Sequence, residues 1–157
     1  MDLLIERLHD LPSAYVADLL SESERLGSRI VPRLVEEWDN RANRFDRPGE
    51  ALFGAWIDGR LVGVCGLNVD PYAGHERIGR VRHLYVLSAF RRSGVGRQLV
   101  ARVIQAAHGW FDDLRLRTNN SPAAQLYETL GFTTCIGSDT YTHVAKLAGS
   151  PNAVGRD

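Results

Sequence analysis

The sequence predicts a single α/β domain built on a mixed, mostly antiparallel sheet flanked by helices. Segments with strand periodicity alternate with segments at helical spacing along the chain. Asp58-Gly59-Arg60 separates two apolar runs and is a strong hairpin signal, because Asp-Gly suits a tight turn. An Arg/Gly-rich loop, Arg91-Arg92-Ser93-Gly94-Val95-Gly96, joins the apolar run Val81 to Leu87 to a helical segment opening at Val95. With 157 residues the chain is long enough for one domain with a real core. That domain is expected over 1–148, followed by a small, polar and disordered tail at 149–157.

In order, Leu3 to Leu8 is a first strand, and Pro12 to Leu26 and Ile30 to Asn43 are two helices. The second helix presents Ile30, Leu34 and Trp38 at four-residue spacing, which predicts its buried face. Pro48-Gly49 marks the stretch from Arg41 to Glu50 as a loop. Leu52 to Ile57 and Leu61 to Val69 form the hairpin, Pro71 and Gly74 mark another loop, and Arg80 to Leu87 is the central strand. The helix from Val95 buries Val95, Leu99, Val100, Val103, Ile104 and Ala107 and ends near Gly109. Leu114 to Thr118 alternates apolar and polar as a half-buried strand does. Pro122 suits a first helical turn, Ala123, Leu126, Tyr127 and Leu130 recur at helical spacing, and Gly131 ends that helix. Thr133 to Ile136 and Thr142 to Leu147 complete the sheet.

Nineteen basic residues balance nineteen acidic ones, so no global field favours nucleic acid or an anionic membrane. No segment is long and apolar enough to cross a bilayer, and the N-terminus lacks a basic-then-apolar signal pattern, so the expected location is cytoplasmic. Cys65 and Cys135 each lie in apolar, strand-like stretches and read as buried thiols. Neither they nor the dispersed histidines have metal-site spacing, and no metal is expected.

The loop from Arg91 to Gly96 carries the chemistry. A loop feeding a helix N-terminus aims several backbone N–H groups at one point, where the helix dipole favours negative charge. Gly94 and Gly96 carry no Cβ to obstruct a ligand, while Arg91, Arg92 and Arg97 add cationic donors. The dinucleotide fingerprint needs a third glycine where Leu99 stands, and a P-loop needs a Gly-Lys-Ser/Thr ending that this loop lacks. The remaining pattern, R-x-x-G-x-G, resembles the pyrophosphate-binding signature of the GNAT acetyltransferases. The run Asn120-Ser121-Pro122-Ala123-Ala124-Gln125-Leu126-Tyr127-Glu128-Thr129-Leu130-Gly131-Phe132 is similar to that superfamily's second signature, matching at Asn120, Ala123, Leu126, Tyr127, Gly131 and Phe132. The resemblance covers Ala51 to Leu147 well and the N-terminal third only in outline.

It implies a sheet splayed between its fourth and fifth strands, with acetyl-coenzyme A as co-substrate in the opening. It implies transfer of the acetyl group to an amine by direct attack in a ternary complex. A small-molecule acceptor leads; a protein lysine or N-terminal amine, or a coenzyme-binding sensor without turnover, are the alternatives. A homodimer is compatible with it. The cofactor-binding set it implies is Leu84, Tyr85 and Val86 through their backbone, then Arg91, Arg92, Ser93, Gly94, Val95, Gly96 and Arg97, with Asn120 and Tyr127. Val86 N–H is the natural partner of the thioester carbonyl. Tyr127 is either the acid that protonates the leaving thiolate or a packing residue, and Asn120 either a pantetheine contact or a helix cap. His83 is the candidate general base, since imidazole titrates near neutrality and Arg80 and Arg82 cannot serve. Strand alternation, however, places His83 and Arg82 on opposite faces. Glu76, Asp70 or an N-terminal carboxylate at the end of a water chain is the rival base. If Arg80 and Arg82 face the cleft they favour an acceptor with a carboxylate or phosphate; otherwise they pair with acidic residues. Trp38, Phe45 and Trp56 either line the acceptor pocket or fill the core, and Glu36, Glu37 and Asp39 would attract a cationic amine.

Overall fold

Asp58 and Gly59 both adopt positive φ, 51° and 75°, and make the two-residue turn that their identities predict. They join β2 (Ala51–Ile57) to β3 (Arg60–Val69) in a computed structural model that describes residues 2–147. β1 (Leu3–Arg7) pairs antiparallel with β2, and β4 (Ile78–Val86) with β3. β5 (Asp113–Leu116) runs parallel to β4, and β7 (His143–Lys146) lies between β5 and the short β6 (Thr133–Thr134). The order across the seven strands is β1-β2-β3-β4-β5-β7-β6. The tail expected at 149–157 lies outside the described residues. Among the described residues no helix is long and apolar enough to cross a membrane.

Four helices cover the sheet: α1 (Ser13–Arg25), α2 (Ile30–Asp39), α3 (Val95–Ala107) and α4 (Ser121–Thr129). Pleat alternation shows which face each covers. A Cβ on Gly63 would touch Leu99 of α3, whereas one on Gly66, three residues along, would strike the Phe45 ring at 2.5 Å. α3 therefore packs on one face, while α1, α2 and the loop carrying Phe45 pack on the other. Val95, Leu99, Val100, Val103 and Ala107 are buried beneath α3 as their spacing predicts; Ile104 is half-buried.

α2 departs from expectation in two ways. Its buried face is Val31, Leu34 and Trp38, with Ile30 rotated outward. It also ends at Asp39 rather than Asn43. Arg41 takes a φ of 67°, which stops the helix, and the Trp38 carbonyl accepts from Arg41 N–H at 3.3 Å and from the Arg44 guanidinium at 2.9 Å. Trp38 and Phe45 are core residues, as one of the two readings has it.

The parallel register between β4 and β5 spans only Ile78 to Arg80 against Asp113 to Arg115. Beyond Arg80 the two strands part, as the resemblance implies, and the edge of β4 facing β5 is left open from there to Val86.

Candidate active site

At the end of β4 a 3-10 turn (Ser88–Phe90) leads into the Arg/Gly-rich loop. Arg92 and Gly94 have φ of 65° and 89°, and α3 starts directly after Gly94. Left-handed residues in such a loop turn successive N–H groups toward one concavity, which is the geometry of an anion nest. The first helical bond runs from Gln98 N–H to Gly94 C=O at 3.0 Å, so the amides of Val95, Gly96 and Arg97 have no helical acceptor. Among the described residues no side chain caps them. A Cβ on Gly94 would meet nothing within 4 Å, whereas one on Gly96 would lie 3.4 Å from Leu126 and 3.8 Å from Val86. Gly94 thus faces the open mouth of the loop, and Gly96 faces the junction of β4, α3 and α4.

The cradle side chains have different tasks. Arg91 turns back, donating from Nε to the Val86 carbonyl at 2.8 Å and stacking over the Tyr85 ring at 5.4 Å. Ser93 Oγ donates to the Phe90 carbonyl at 2.5 Å and shapes the loop. Arg97 donates to Thr129 Oγ1 at 3.1 Å, which holds its guanidinium against α4. Arg92 is exposed.

On β4 the amide directions follow from one bond. Leu87 N–H donates to Val62 C=O at 2.9 Å, so Leu87 and Tyr85 turn their backbone groups toward β3 and Val86 turns its N–H into the gap. Leu84 shares the sense of Val86, while the Tyr85 backbone is committed to the ladder. The Tyr85 backbone is thus taken up by β3, while Val86 N–H faces the gap.

Glu22 on α1 organises this end of the strand, a role the sequence did not reveal. Its carboxylate accepts from the Tyr85 hydroxyl at 2.7 Å, Ser88 N–H at 3.0 Å and Ser88 Oγ at 2.7 Å, with Arg91 3.8 Å away. Burial opposes its charge, but the hydrogen bonds from Tyr85 and Ser88 and the nearby Arg91 outweigh that and hold the carboxyl below the usual range.

Tyr127 is buried on α4, its ring edge-on to Phe132 with centroids 5.6 Å apart. Among the described residues its hydroxyl has no hydrogen-bond partner. Burial, with the Cys65 thiol nearby, raises its pKa well above that of an ordinary phenol, so it keeps its proton. Asn120 is a helix cap: its Oδ1 accepts from Ala123 N–H at 2.9 Å. Burial pushes the Cys65 thiol up to about 12, and Cys135 is half-buried rather than buried.

The expectation that His83 and Arg82 lie on opposite faces is overturned. β3 and β4 lose register between Val64 and Gly66, which face Tyr85 and Arg82, so one extra β4 residue is accommodated there. His83 has a φ of 59°, and this bulge turns its side chain to the same face as Arg82. Both then approach Glu37 of α2: Arg82 at 3.5 Å, and His83 Nε2 at 3.8 Å from Glu37 Oε1. The His83 ring hydrogen-bonds the Ile30 backbone and sits edge-on to Phe45 at 6.2 Å. Burial, then the charges of Arg82 and Arg33, push its pKa down to about 3, so it is neutral at ordinary pH.

Arg80 is not in the cleft. It is buried, paired with Asp70 at 3.3 Å, bonded to the Thr140 carbonyl at 2.6 Å and stacked over Tyr72 at 5.0 Å. It ties the β3–β4 loop to the segment before β7. Asp70 is thereby occupied, and Glu76 is exposed in that loop. Trp56 packs against Tyr15 on β2, two strands from the gap. Among the described residues no cluster of His, Cys, Asp and Glu could hold a metal ion.

A seven-stranded sheet parted between β4 and β5, with an open helix N-terminus at the mouth of the gap, is the architecture that the two motifs imply. The chain belongs to the GNAT acetyltransferases: residues 14–132 match the Acetyltransferase (GNAT) family. A candidate acetyltransferase of known structure from Exiguobacterium sp. 255-15 is 30% identical, with a TM-score of 0.82 over 93% of this chain and 94% of that one. The N-alpha-acetyltransferase RimI of Mycobacterium tuberculosis is 34% identical over 92 residues, 54% of this chain and 53% of that protein. Human N-alpha-acetyltransferase 30 is 35% identical over 86 residues, 53% of this chain and 24% of that protein. These matches span about half the length of the mycobacterial relative and a quarter of the human one.

Proposed function

We propose that the protein transfers the acetyl group of acetyl-coenzyme A to a primary amine of a small molecule, by direct attack in a ternary complex. The observation that carries this reading is a pair of open backbone donor sets, Val86 N–H on the free edge of β4 and the amides of Val95, Gly96 and Arg97 at the start of α3, with the loop between them tied down by its own hydrogen bonds. An extended acyl chain ending in a pyrophosphate fits that pair, with the anion at the helix N-terminus. Acetyl-coenzyme A supplies an activated thioester carbonyl when bound.

The chain's own groups account for the rest. Val86 N–H, held by the ladder on either side, donates to the carbonyl oxygen as negative charge develops there. Tyr127 keeps its proton because it is buried, and can give it to the departing sulfur. His83 is neutral and helps to orient the attacking amine; with a pKa near 3 it does not keep the amine's proton, which passes to solvent, and the Tyr127 phenol regains from solvent the proton it gives to sulfur. Arg91 holds the end of β4 rather than the anion, which leaves Arg92 and Arg97 as the cationic side chains at the cradle.

The second reading is acetylation of a protein N-terminus. It is supported by the names of the mycobacterial and human relatives, both N-alpha-acetyltransferases. Calorimetry with acetyl-coenzyme A, followed in the same sample by thiol release over small amines and short peptides, separates the two. Turnover on small amines supports the first reading and turnover confined to peptides the second. Absence of acetyl-coenzyme A binding removes both.

A further inference from the structure

Between α2, the loop after it and the ends of β3 and β4 lies an open cavity of about 430 Å³. Glu37 and Arg82 line it, so it reaches the face of β4 on which the bulge displays His83. Just behind this wall, two polar atoms lack partners among the described residues. Glu37 Oε1 and His83 Nε2 are both buried, neither has a hydrogen-bond partner, and they are 3.8 Å apart. His83 is neutral, so one of its ring nitrogens is an acceptor. The Glu37 carboxylate and the His83 ring therefore face each other without a hydrogen bond, with Arg82 3.5 Å from Glu37 Oε1. Such a pair lacks a donor with two hydrogens, and a neutral primary amine is one. With its two N–H groups on Glu37 and His83, the amine's lone pair is left free to attack.

The remainder of the wall is cationic. Glu50 is consumed by the N–H groups of Arg47 and Val69, at 3.2 and 2.9 Å, and Arg44 by the Trp38 carbonyl. Among the described residues, the guanidinium groups of Arg41 and Arg47 make no hydrogen bond or ion pair, and Asp46 is the single uncommitted carboxylate beside them. Arg41 lies just past the end of α2, on the loop that also carries Arg47, and both line the cavity together with Glu37. We propose that this cavity is the acceptor site and that it selects a small primary amine bearing a carboxylate, with the amine between Glu37 and His83 and the carboxylate on Arg41 and Arg47. This rests on the acetyltransferase reading and adds the substrate class to it.

The test is thiol release from acetyl-coenzyme A with α- and ω-amino acids, each matched with its carboxamide and with the corresponding phosphonate, plus a set of short peptides. A free carboxylate should raise kcat/KM by about tenfold or more over the carboxamide, the worth of one charge-assisted contact. In the Arg41→Gln, Arg47→Gln double variant that preference should vanish through a higher KM for the acids, with the carboxamides unaffected. Acetyl-coenzyme A binding, followed by calorimetry, should be unchanged in the variant, which also verifies folding. Equal turnover of acids and carboxamides, preference for phosphonates or peptides, or binding of the coenzyme with no turnover on any acid overturns the acceptor assignment alone. Failure of the wild-type protein to bind acetyl-coenzyme A overturns the reading beneath it.

Discussion

Gly94→Ala separates what the cradle does for the fold from what it does for a ligand. Gly94 has a φ of 89° and a ψ of 1°, a left-handed conformation that costs an L-residue about 1–2 kcal/mol. The new Cβ meets nothing within 4 Å, so no steric penalty is added. For a domain of this size that loss lowers Tm by about 2–8 °C. The methyl group would enter the open space at the mouth of the loop, from which a pyrophosphate would reach the Val95, Gly96 and Arg97 amides. Coenzyme A affinity should fall by about tenfold or more, beyond what the stability change explains. Gly96→Ala is the control: its Cβ would make ordinary contacts with Leu126 and Val86, and alanine favours the helix by about 0.5–1 kcal/mol. Melting curves and titration calorimetry on both variants are the assay. A Gly94→Ala protein that melts lower yet binds coenzyme A like wild type would refute the claim that these amides hold the anion.

Tyr127→Phe should lower kcat with little change in coenzyme A affinity or Tm, because the hydroxyl has no partner among the described residues; unchanged kcat in single-turnover kinetics assigns the residue to packing. Glu22→Ala should cost about 2–3 kcal/mol in chemical denaturation, since the Tyr85 hydroxyl and both Ser88 donors lose their acceptor; a loss under about 0.5 kcal/mol would contradict its role as the anchor of β4. His83 links stability to pH. Its pKa falls from an ordinary 6.5 to about 3 on folding, so the unfolded chain takes up the proton first and stability is lost as pH drops from about 6.5 toward 3. Between pH 6.5 and 4.5 that amounts to about 2–3 kcal/mol, with Arg82, Arg33 and Glu37 as the charged neighbours. His83→Gln should flatten that part of the pH dependence, and an unchanged slope would place the effect elsewhere.

Local features were legible in the sequence, and those set by distant pairing were not. The Asp58-Gly59 turn, the cradle glycines and the Asn120 to Phe132 run act through neighbours a few residues away, so their patterns carry their geometry. Glu22 meets partners 63 and 66 residues downstream, and nothing around it in the chain marks it out. The bulge at His83 depends on how β4 registers against Val64 and Gly66 of β3, which alternation within β4 does not encode. It reverses the expected facing of His83 and Arg82 and creates their shared approach to Glu37. α2 illustrates a smaller ambiguity. Ile30 and Val31 are both apolar and adjacent, and the helix buries the second because Val31, with Leu34 and Trp38, forms the face that meets the sheet.

The central claim is that the open edge of β4 and the cradle form one binding surface for coenzyme A. Backbone amide NMR of the full chain, titrated with coenzyme A, tests it most directly. The account predicts that the resonances of Val86, Val95, Gly96 and Arg97 shift together with one dissociation constant, while Tyr85 and Leu87, bonded to β3, move little. Shifts confined to other surfaces, or none at saturating coenzyme A, would contradict it.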